Sequence, residues 1–425
     1  MEFKKICILG LGYIGLPTAS MFANAGLQVV GVDVNEDVVR TLQGGKLHIH
    51  EPGLREAVRQ AIEGGALTFS SQAVEADAFI IAVPTPFYED KRADMRAVTR
   101  ATEMILPVLR PGNLVVLEST SPPRTTLDLV APILERSGLK AGSDFHLCYS
   151  PERVLPGQIL RELVENARVI GGVNPASAEA GRSLYAAFVQ GDILQTTATT
   201  AEMVKLMENT YRDVNIAIAN EFARLADRFG VDVWEAISLS NRHPRVKILN
   251  PGPGVGGHCI SVDPWFLVEA APELTPLIRT ARQVNDGQPH FVLEMIKKAL
   301  GADLHGKQIA VLGLSFKPDV DDLRESPAVE ITHLLRDAGA VVTAYEPFKA
   351  DFLIPGVECV GSLAEAVANA ELILLLVGHN QFKQVRAQAL SQLTPARLVM
   401  DTVNAWQPAA WREFGFRFIR LGVGQ

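Results

Sequence analysis

The sequence is poor in cysteine, lacks long apolar runs and carries no excess of basic residues. It has 4 cysteines in 425 residues, and none are spaced like a zinc site or a redox dithiol. The longest apolar runs, such as Leu372 to Val377, fall far short of the ~18 residues that span a membrane. A formal net charge of -8 argues against binding to nucleic acid or anionic lipid. We therefore expect a cytoplasmic protein with no metal, no nucleic-acid partner and no membrane association.

The first part of the chain alternates strands and helices. Lys5 to Leu9 predicts a strand, Gly10 to Gly15 a turn, Leu16 to Ala25 a helix and Gln28 to Val32 a second strand. Further strands are predicted at 78–83, 114–117 and 145–149. This alternation predicts an α/β fold with a doubly wound, mostly parallel sheet.

The pattern changes near residue 199 and returns after Gly301. Thr199 to Glu202 resembles a capping box, and an apolar stripe predicts one long helix ending at Gly230. Two more helices are predicted at about 232–241 and 275–299, and strands and helices then alternate again to Asp401. We therefore predict two Rossmann-like domains, 1–198 and 301–425, joined by a helical central domain, 199–300, that carries a dimer interface.

Three glycines near the start of the chain indicate a cofactor-binding turn. Gly10, Gly12 and Gly15 have the spacing of a dinucleotide-binding turn between a strand and a helix. Asp33, at the end of the second strand, is placed to accept hydrogen bonds from a ribose and to repel a 2′-phosphate. The segment therefore predicts NAD rather than NADP as the cofactor.

Other loops are rich in glycine, proline and hydroxyl groups. The loops at 83–86 (VPTP) and 118–122 (ESTSP) follow strands, where either a ligand site or a simple turn is expected. The loop at 252–259 (GPGVGGHC) has many glycines with no evident packing role, which favours exposure of the Cys259 thiol. Cys7, Cys148 and Cys359 lie in or beside apolar strands and are expected in the core.

Several polar residues are candidate partners of this thiol. Lys205 and Asn209 share one face of the long helix and have the chemistry to stabilise an oxyanion, although a solvated helix face has the same pattern. Asp263 is suited either to orienting water or to capping a turn. Neighbouring side chains usually point apart, so His258 is a weak candidate for the base. The cluster at 242–245 (RHPR) suits a phosphate, a neighbouring subunit or a surface turn.

Seven segments together resemble the nucleotide-sugar 6-dehydrogenases, the family of UDP-glucose and GDP-mannose dehydrogenases. They occur in the order that the family has: GLGYIGLP at 10–17, VPTP at 83–86, STSPPRTT at 119–126, SPERVLPG at 150–157, EMVKLMENTYRDVNIA at 202–217, GPGVGGHCISVDPW at 252–265 and GLSFKPDVDDLRESPA at 313–328. The resemblance covers the whole chain from the first glycines to Asp401.

The resemblance implies roles for residues in each segment. The implied catalytic set has Cys259 as nucleophile, Lys205 and Asn209 as oxyanion stabilisers, Asp263 assisting the thiol or water, and Thr120 and Glu152 as water-positioning or acid–base groups. The implied NAD set is Gly10, Gly12, Tyr13, Ile14, Gly15, Asp33, Pro84, Thr85, Ser119, Thr120 and Arg324. The implied set for the UDP-N-acetylhexosamine substrate is Glu152, Arg153, Val154, Lys205, Asn209, Arg212, His243, Arg245, Gly256, Phe316 and Lys317.

Two departures from the UDP-glucose branch bear on the sugar. That branch has a second glutamate where this chain has Pro156, and Gly-Gly-Ser-Cys where this chain has Gly-Gly-His-Cys at 256–259. Both departures argue against glucose and resemble the branch that acts on N-acetylated sugars, in particular its mannosamine members. The N-acetylglucosamine epimer stays open as an alternative, since it differs from the mannosamine form only at C2.

The implied reaction is a four-electron oxidation of the sugar C6 alcohol to the carboxylate, making a precursor for bacterial surface polysaccharide. The aldehyde formed first would be captured by Cys259 as a thiohemiacetal, oxidised to a thioester and hydrolysed. A two-electron dehydrogenase of the hydroxyacid type, with a lysine base, is the main rival. A non-catalytic NAD-responsive binding protein is the second.

Overall fold

The computed structural model describes residues 2–257 and 259–424. The chain divides into two compact units, one of residues 1–208 and 265–272 and the other of residues 209–264 and 273–425. His258, weighed above as a base, lies outside the described residues. Within the described ranges, no helix combines the length and apolarity needed to cross a membrane.

The first unit is built on an eight-stranded sheet. Its strands are β1 (Lys5–Leu9), β2 (Gln28–Val32), β3 (Leu67–Ser70), β4 (Ala78–Ile81), β5 (Leu114–Leu117), β6 (His146–Tyr149), β7 (Arg168–Gly172) and β8 (Ile193–Thr197). The spatial order is β3-β2-β1-β4-β5-β6-β7-β8, and every pair is parallel except β6 with β7.

Helices cover both faces of this sheet. They are α1 (Gly15–Asn24), α2 (Glu36–Gln43), α3 (Leu54–Glu63), α4 (Arg96–Ile105), α5 (Ala131–Glu135), α6 (Ile159–Glu165) and α7 (Pro175–Tyr185), with a 3₁₀ turn at Leu106–Val108 and a π-helical turn at Thr126–Val130. Side chains alternate between the faces of a strand. Ile6 and Ile8 therefore pack into one core with Phe22, while Cys7 and Leu9 pack into the other.

The long helix α8 (Ala198–Phe229) begins in the first unit and continues into the second. The helices that follow are α9 (Val233–Ser240), α10 (Asp263–Ala270), α11 (Pro276–Asp286) and α12 (Gln288–Leu300). The prediction of a single helix over 275–299 was wrong, because the helix is interrupted at Gly287 and forms α11 and α12. Pro289 in the first turn of α12 has no N–H to continue the preceding helix.

The second unit contains a six-stranded parallel sheet. Its strands are β9 (Gln308–Leu312), β10 (Val341–Tyr345), β11 (Glu358–Val360), β12 (Leu372–Leu375), β13 (Leu398–Asp401) and β14 (Arg417–Arg420), in the order β11-β10-β9-β12-β13-β14. Its remaining helices are α13 (Pro327–Asp337), α14 (Leu363–Val367), α15 (Asn380–Lys383), α16 (Ala387–Ser391) and α17 (Pro408–Arg412). The mostly parallel first sheet, the parallel second sheet and the long helix α8 confirm the predicted fold class.

Candidate active site

The glycine turn after β1 has the shape that the spacing predicted. Gly10 has a φ of 95°, and a Cβ there would lie 2.4 Å from the carbonyl oxygen of Ala82. A Cβ on Gly15 would lie 1.8 Å from the carbonyl oxygen of Gly10, so neither position admits a side chain. A Cβ on Gly12 would instead meet nothing within 4 Å. The turn is therefore tightly packed at two glycines and open at the third, as a cradle for a pyrophosphate requires.

Asp33 fixes this turn from the end of β2. One carboxylate oxygen accepts the backbone N–H of Leu11 at 3.0 Å and the other accepts that of Asn35 at 2.9 Å. Each carboxylate oxygen has more than one acceptor site, so these bonds leave capacity for a ribose hydroxyl. Tyr13 and Ile14 are half-buried in the same turn. The residues present therefore fit a dinucleotide.

Ser119 ties together the two loops that follow β4 and β5. Its hydroxyl accepts the N–H of Val83 at 2.9 Å and donates to the carbonyl of the same residue at 2.7 Å. The Ser119 side chain therefore holds the VPTP loop in shape. The sequence had predicted Ser119 only as a cofactor ligand. Thr85 and Thr120 are half-buried nearby in sequence, and Pro84 is exposed.

Glu202 anchors the loop that carries Thr120. Its buried carboxylate accepts the N–H groups of Arg124 and Thr126 at 2.6 and 2.7 Å and the Thr126 hydroxyl at 2.6 Å. The predicted capping box at the start of α8 was therefore wrong, because Glu202 is committed to this loop. The helix start is capped instead by the Thr197 hydroxyl, which accepts the N–H of Thr200.

Glu152 is held on several sides. The Lys205 ammonium donates to its backbone carbonyl at 2.5 Å, and the Arg153 N–H donates to its carboxylate at 2.6 Å. The Arg153 side chain donates to Glu208 at 2.7 Å and to the carbonyl of Ala167. The structure thus brings Glu152 and Lys205 together, and it places the predicted substrate ligand Arg153 in bonds that fix the loop. Val154 is half-buried in that loop.

Behind Glu152 lies a buried charge cluster that was not predicted from the sequence. The Arg168 guanidinium pairs with Glu118 and Glu152, each at 3.0 Å, and donates to Ser150 at 2.8 Å. Burial raises the pKa of Glu118 to about 7, and the nearby charge of Glu152 adds to the shift while Arg168 opposes it. The only sequence signals were a glutamate and an arginine inside or beside apolar strands.

In the second unit, the glycine-rich loop packs against residues 316–327. A Cβ on Gly256 would lie 2.3 Å from the carbonyl oxygen of Glu325, and one on Gly257, whose φ is 87°, would lie 2.8 Å from the Phe316 ring. The expectation that these glycines have no packing role was therefore wrong. Close packing and exposure of the following thiol coexist, since Cys259 is exposed.

The residues after the thiol form a tight turn. The carbonyl of Cys259 accepts the N–H groups of Val262 and Asp263 at 3.1 and 2.8 Å. The buried carboxylate of Asp263 accepts the side-chain amide of Asn209 at 2.5 Å. Asn209 and Asp263, both predicted from the sequence, are thus in direct contact.

A second unpredicted network supports the start of this loop. The Asn220 side chain accepts the N–H of Gly252 at 3.0 Å and donates to Asn285 at 2.9 Å. Asn285 and Arg282 both donate to Asp213, which is fully buried, at 2.8 and 2.5 Å. Burial raises the pKa of Asp213, although Arg282 and Asn285 oppose the shift.

The remaining predicted residues are spread over the second unit. Phe316 and Lys317 are half-buried in the loop after β9, whose N–H groups at Leu314 and Ser315 are held by the carboxylate of Glu346 at 2.8 and 3.0 Å. Arg324 pairs with Asp322. Arg212, His243 and Arg245 are exposed. Among residues 2–257 and 259–424, no group of three or more His, Cys, Asp or Glu side chains has the arrangement of a metal site.

Comparison with known proteins matches three parts of the chain to one family. Residues 4–189 match the NAD binding domain of the UDP-glucose/GDP-mannose dehydrogenase family, residues 199–287 its central domain, and residues 310–408 its UDP binding domain.

Full-length relatives and a solved structure agree with this match. A UDP-N-acetyl-D-mannosamine dehydrogenase of Methanococcus maripaludis is 46% identical over 100% of this chain and 98% of its own. An NDP-N-acetyl-D-galactosaminuronic acid dehydrogenase of Ralstonia solanacearum is 48% identical over 96% of this chain and 97% of its own. The structure of a UDP-D-ManNAc dehydrogenase from Pyrococcus horikoshii aligns with a TM-score of 0.92 and 41% identity, covering 99% of each chain.

Proposed function

The chain belongs to the UDP-glucose/GDP-mannose dehydrogenase family, and we propose that it is an NAD-dependent UDP-N-acetyl-D-mannosamine dehydrogenase. In this reaction the C6 alcohol of the sugar is oxidised through the aldehyde to the carboxylate. The product, a nucleotide-linked uronate, suits the assembly of surface polysaccharide.

The observation that carries the proposal is the contrast between Cys259 and the other thiols. Cys259 is exposed, on the loop whose Gly256 and Gly257 pack closely against Glu325 and Phe316. Burial raises the pKa of Cys7 to about 11 and that of Cys148 further, so both stay protonated at neutral pH. Cys359 is half-buried against the core of the second unit. Cys259 is therefore the thiol suited to act as a nucleophile.

The first unit supplies the groups that would hold the cofactor. Gly10, Gly12 and Gly15 form the pyrophosphate cradle, and Asp33 is placed for the adenosine ribose. A 2′-phosphate would meet the Asp33 carboxylate, which favours NAD over NADP. NAD, when bound, accepts the hydride that leaves C6 in each of the two oxidations.

Cys259 captures the aldehyde between the two oxidations. Its thiolate adds to the C6 carbonyl and forms a thiohemiacetal, and loss of the second hydride converts this adduct to a thioester. Charge on the C6 oxygen is stabilised by Lys205 and Asn209, which are one helical turn apart on α8. The hydrogen bond to Asp263 orients the Asn209 amide, whose nitrogen carries a second N–H for the substrate oxygen.

Water then hydrolyses the thioester, releasing the carboxylate and the Cys259 thiolate. We assign the positioning of this water and the transfer of its proton to Glu152 and Thr120. The bonds from Lys205 and Arg153 hold Glu152 in one place before substrate arrives. Preorganisation of this kind lowers the cost of ordering groups in the transition state.

The nucleotide end of the substrate is assigned to the second unit. Residues 310–408 match a UDP binding domain, and Phe316 and Lys317 lie on the loop after the first strand of that sheet. Lys317 supplies positive charge for the diphosphate, Arg212 and Arg245 supply further charge at exposed positions, and His243 offers a ring nitrogen for hydrogen bonding. The overall negative charge of the chain thus coexists with local phosphate-binding groups.

The epimer at C2 is a separate part of the proposal. The mannosamine names of the Methanococcus and Pyrococcus relatives favour UDP-N-acetyl-D-mannosamine. We expect kcat/KM for this sugar to exceed that for the glucosamine and galactosamine epimers at least ~10-fold, as single well-placed polar contacts allow. NADH formation with each of the three UDP-sugars measures this, and an equal or higher kcat/KM with another epimer would reassign the substrate.

Replacing the nucleophile tests the reaction type. Cys259→Ser is expected to lower uronate formation by at least ~10³-fold, because a hydroxyl is a poor nucleophile at neutral pH. Binding of NAD and UDP-sugar, measured by calorimetry, should stay within about threefold of wild type, since the change removes no cofactor or nucleotide contact. The matched control is Cys359→Ser, which should turn over normally. Near-normal uronate formation by Cys259→Ser would refute the covalent scheme.

We also assign three domains, 1–198, 199–300 and 301–425, and a homodimer formed through the central one. Helix α8 presents an apolar stripe on its exposed side: Tyr211, Ile218, Phe222, Leu225 and Phe229. An exposed stripe of this size at helical spacing is typical of an interface.

A cytoplasmic location follows from the need to keep the exposed Cys259 thiol reduced.

The stripe predicts how the dimer is broken. Leu225→Glu places a charge on the apolar face and should give a monomer by light scattering at micromolar concentration. Leu353→Glu is the matched control, because Leu353 is 88% exposed in the second unit and away from α8 in sequence. A dimer that survives Leu225→Glu, or a wild type that is monomeric, would contradict this interface.

A further inference from the structure

Glu118 is not among the residues assigned to the proposed reaction, although it lies at the end of β5 beside the loop that carries Thr120. Its side chain is fully buried. One carboxylate oxygen accepts from Arg168 at 3.0 Å and from the Tyr185 hydroxyl at 2.5 Å. The other oxygen has no hydrogen-bond partner among residues 2–257 and 259–424. A buried carboxylate that is only half satisfied costs stability.

Arg168 is shared between two carboxylates. One guanidinium nitrogen donates to Glu118 and a second to Glu152, each at 3.0 Å, and the guanidinium also lies 4.2 Å from the centre of the Tyr185 ring. The guanidinium stays charged at any pH at which the protein is folded. The strength with which it holds Glu152 therefore depends on whether Glu118 carries a competing negative charge.

Titratable and charged groups face Glu118 from several neighbouring elements. They are Arg168 from β7, Tyr185 from α7, Cys148 from β6 and Glu152 from the loop after β6. Burial raises the pKa values of Tyr185 and Cys148 well above neutrality, so both stay protonated. Among the residues of this cluster that are not assigned to the reaction, Glu118 is therefore the one whose charge changes near neutral pH.

We propose that Glu118 is a positioning residue for the Glu152 carboxylate, acting through the Arg168 guanidinium that the two side chains share. The role rests on the proposed function, because that function assigns Glu152 to the hydrolytic step. With Glu118 protonated, Arg168 pairs with Glu152 alone and withdraws its negative charge from the water. With Glu118 ionised, Arg168 is divided, and Glu152 is the better proton acceptor.

The sign of the pH effect follows from the burial of Glu118. Burial raises the pKa of this carboxyl to about 7, so the group passes from protonated to ionised as the pH rises through that value. Turnover should rise over the same interval, by up to about tenfold between pH 6 and pH 8 for a single controlling ionisation.

Two variants separate this role from a structural one. Glu118→Gln keeps the size of the side chain and removes its charge, so the inflection of kcat near pH 7 should vanish and kcat at pH 8 should fall roughly tenfold. Tyr185→Phe removes a hydrogen bond that favours the ionised form of Glu118, so the inflection should move upward by about one pH unit. The control is Glu179→Gln, which removes an exposed carboxylate on α7 and should leave the profile unchanged.

The pH profiles of kcat with saturating NAD and UDP-N-acetyl-D-mannosamine give the result. If Glu118→Gln and Tyr185→Phe merely scale kcat equally at all pH values, the proposal is overturned. Tyr185→Phe keeps the test valid should Glu118→Gln fail to fold.

Infrared difference spectra of the protein without substrate provide a readout besides activity. A protonated-carboxyl band should titrate near pH 7 in wild type and at higher pH in Tyr185→Phe. Absence of that titration overturns the proposal even if the enzyme is active. Its presence in a chain that oxidises no UDP-sugar would instead mark a failure of the proposed function.

Discussion

The guanidinium of Arg168 lies where β5 and β6 end and β7 begins, removed from water and shared between Glu118 and Glu152. A buried charge without a partner lowers the stability of the fold by several kcal/mol. The loops that supply the partners of Arg168 are therefore held close to it. The second unit obeys the same constraint at Arg282, whose partner Asp213 is linked through Asn285 and Asn220 to the first residue of the glycine-rich loop. Charge pairing in the interior thereby fixes both the loop of Glu152 and the loop of Cys259.

Local patterns were enough to predict the fold class and to select the candidate site residues. The spacing of Gly10, Gly12 and Gly15, the alternation of strands and helices, and the thiol after a run of glycines are all contained in short stretches. Family membership, predicted from seven such stretches, was confirmed. The clusters around Arg168 and Glu202 could not be predicted, because their contacts join residues far apart in sequence that have no motif of their own. For the same reason the sequence did not predict the packing of Gly256 against Glu325.

The proposed reaction divides its chemistry between the two units. The first contributes the dinucleotide turn, Glu152 and Lys205, and the second contributes Asn209, Asp263 and Cys259. Lys205 and Asn209, the cation and the amide assigned to the oxyanion, are one helical turn apart on α8. The loops of Glu152 and Cys259 are held by hydrogen bonds with Lys205, Arg153 and Asn220.

The proposed reaction depends on Cys259 retaining the aldehyde until it is oxidised to the carboxylate. The most direct test counts NADH formed per mole of UDP-N-acetyl-D-mannosamine with a carbonyl trap such as semicarbazide in solution. Capture by Cys259 predicts two NADH per sugar and no trapped aldehyde. One NADH per sugar, with the semicarbazone accumulating, would show that the aldehyde leaves the enzyme and would contradict the account.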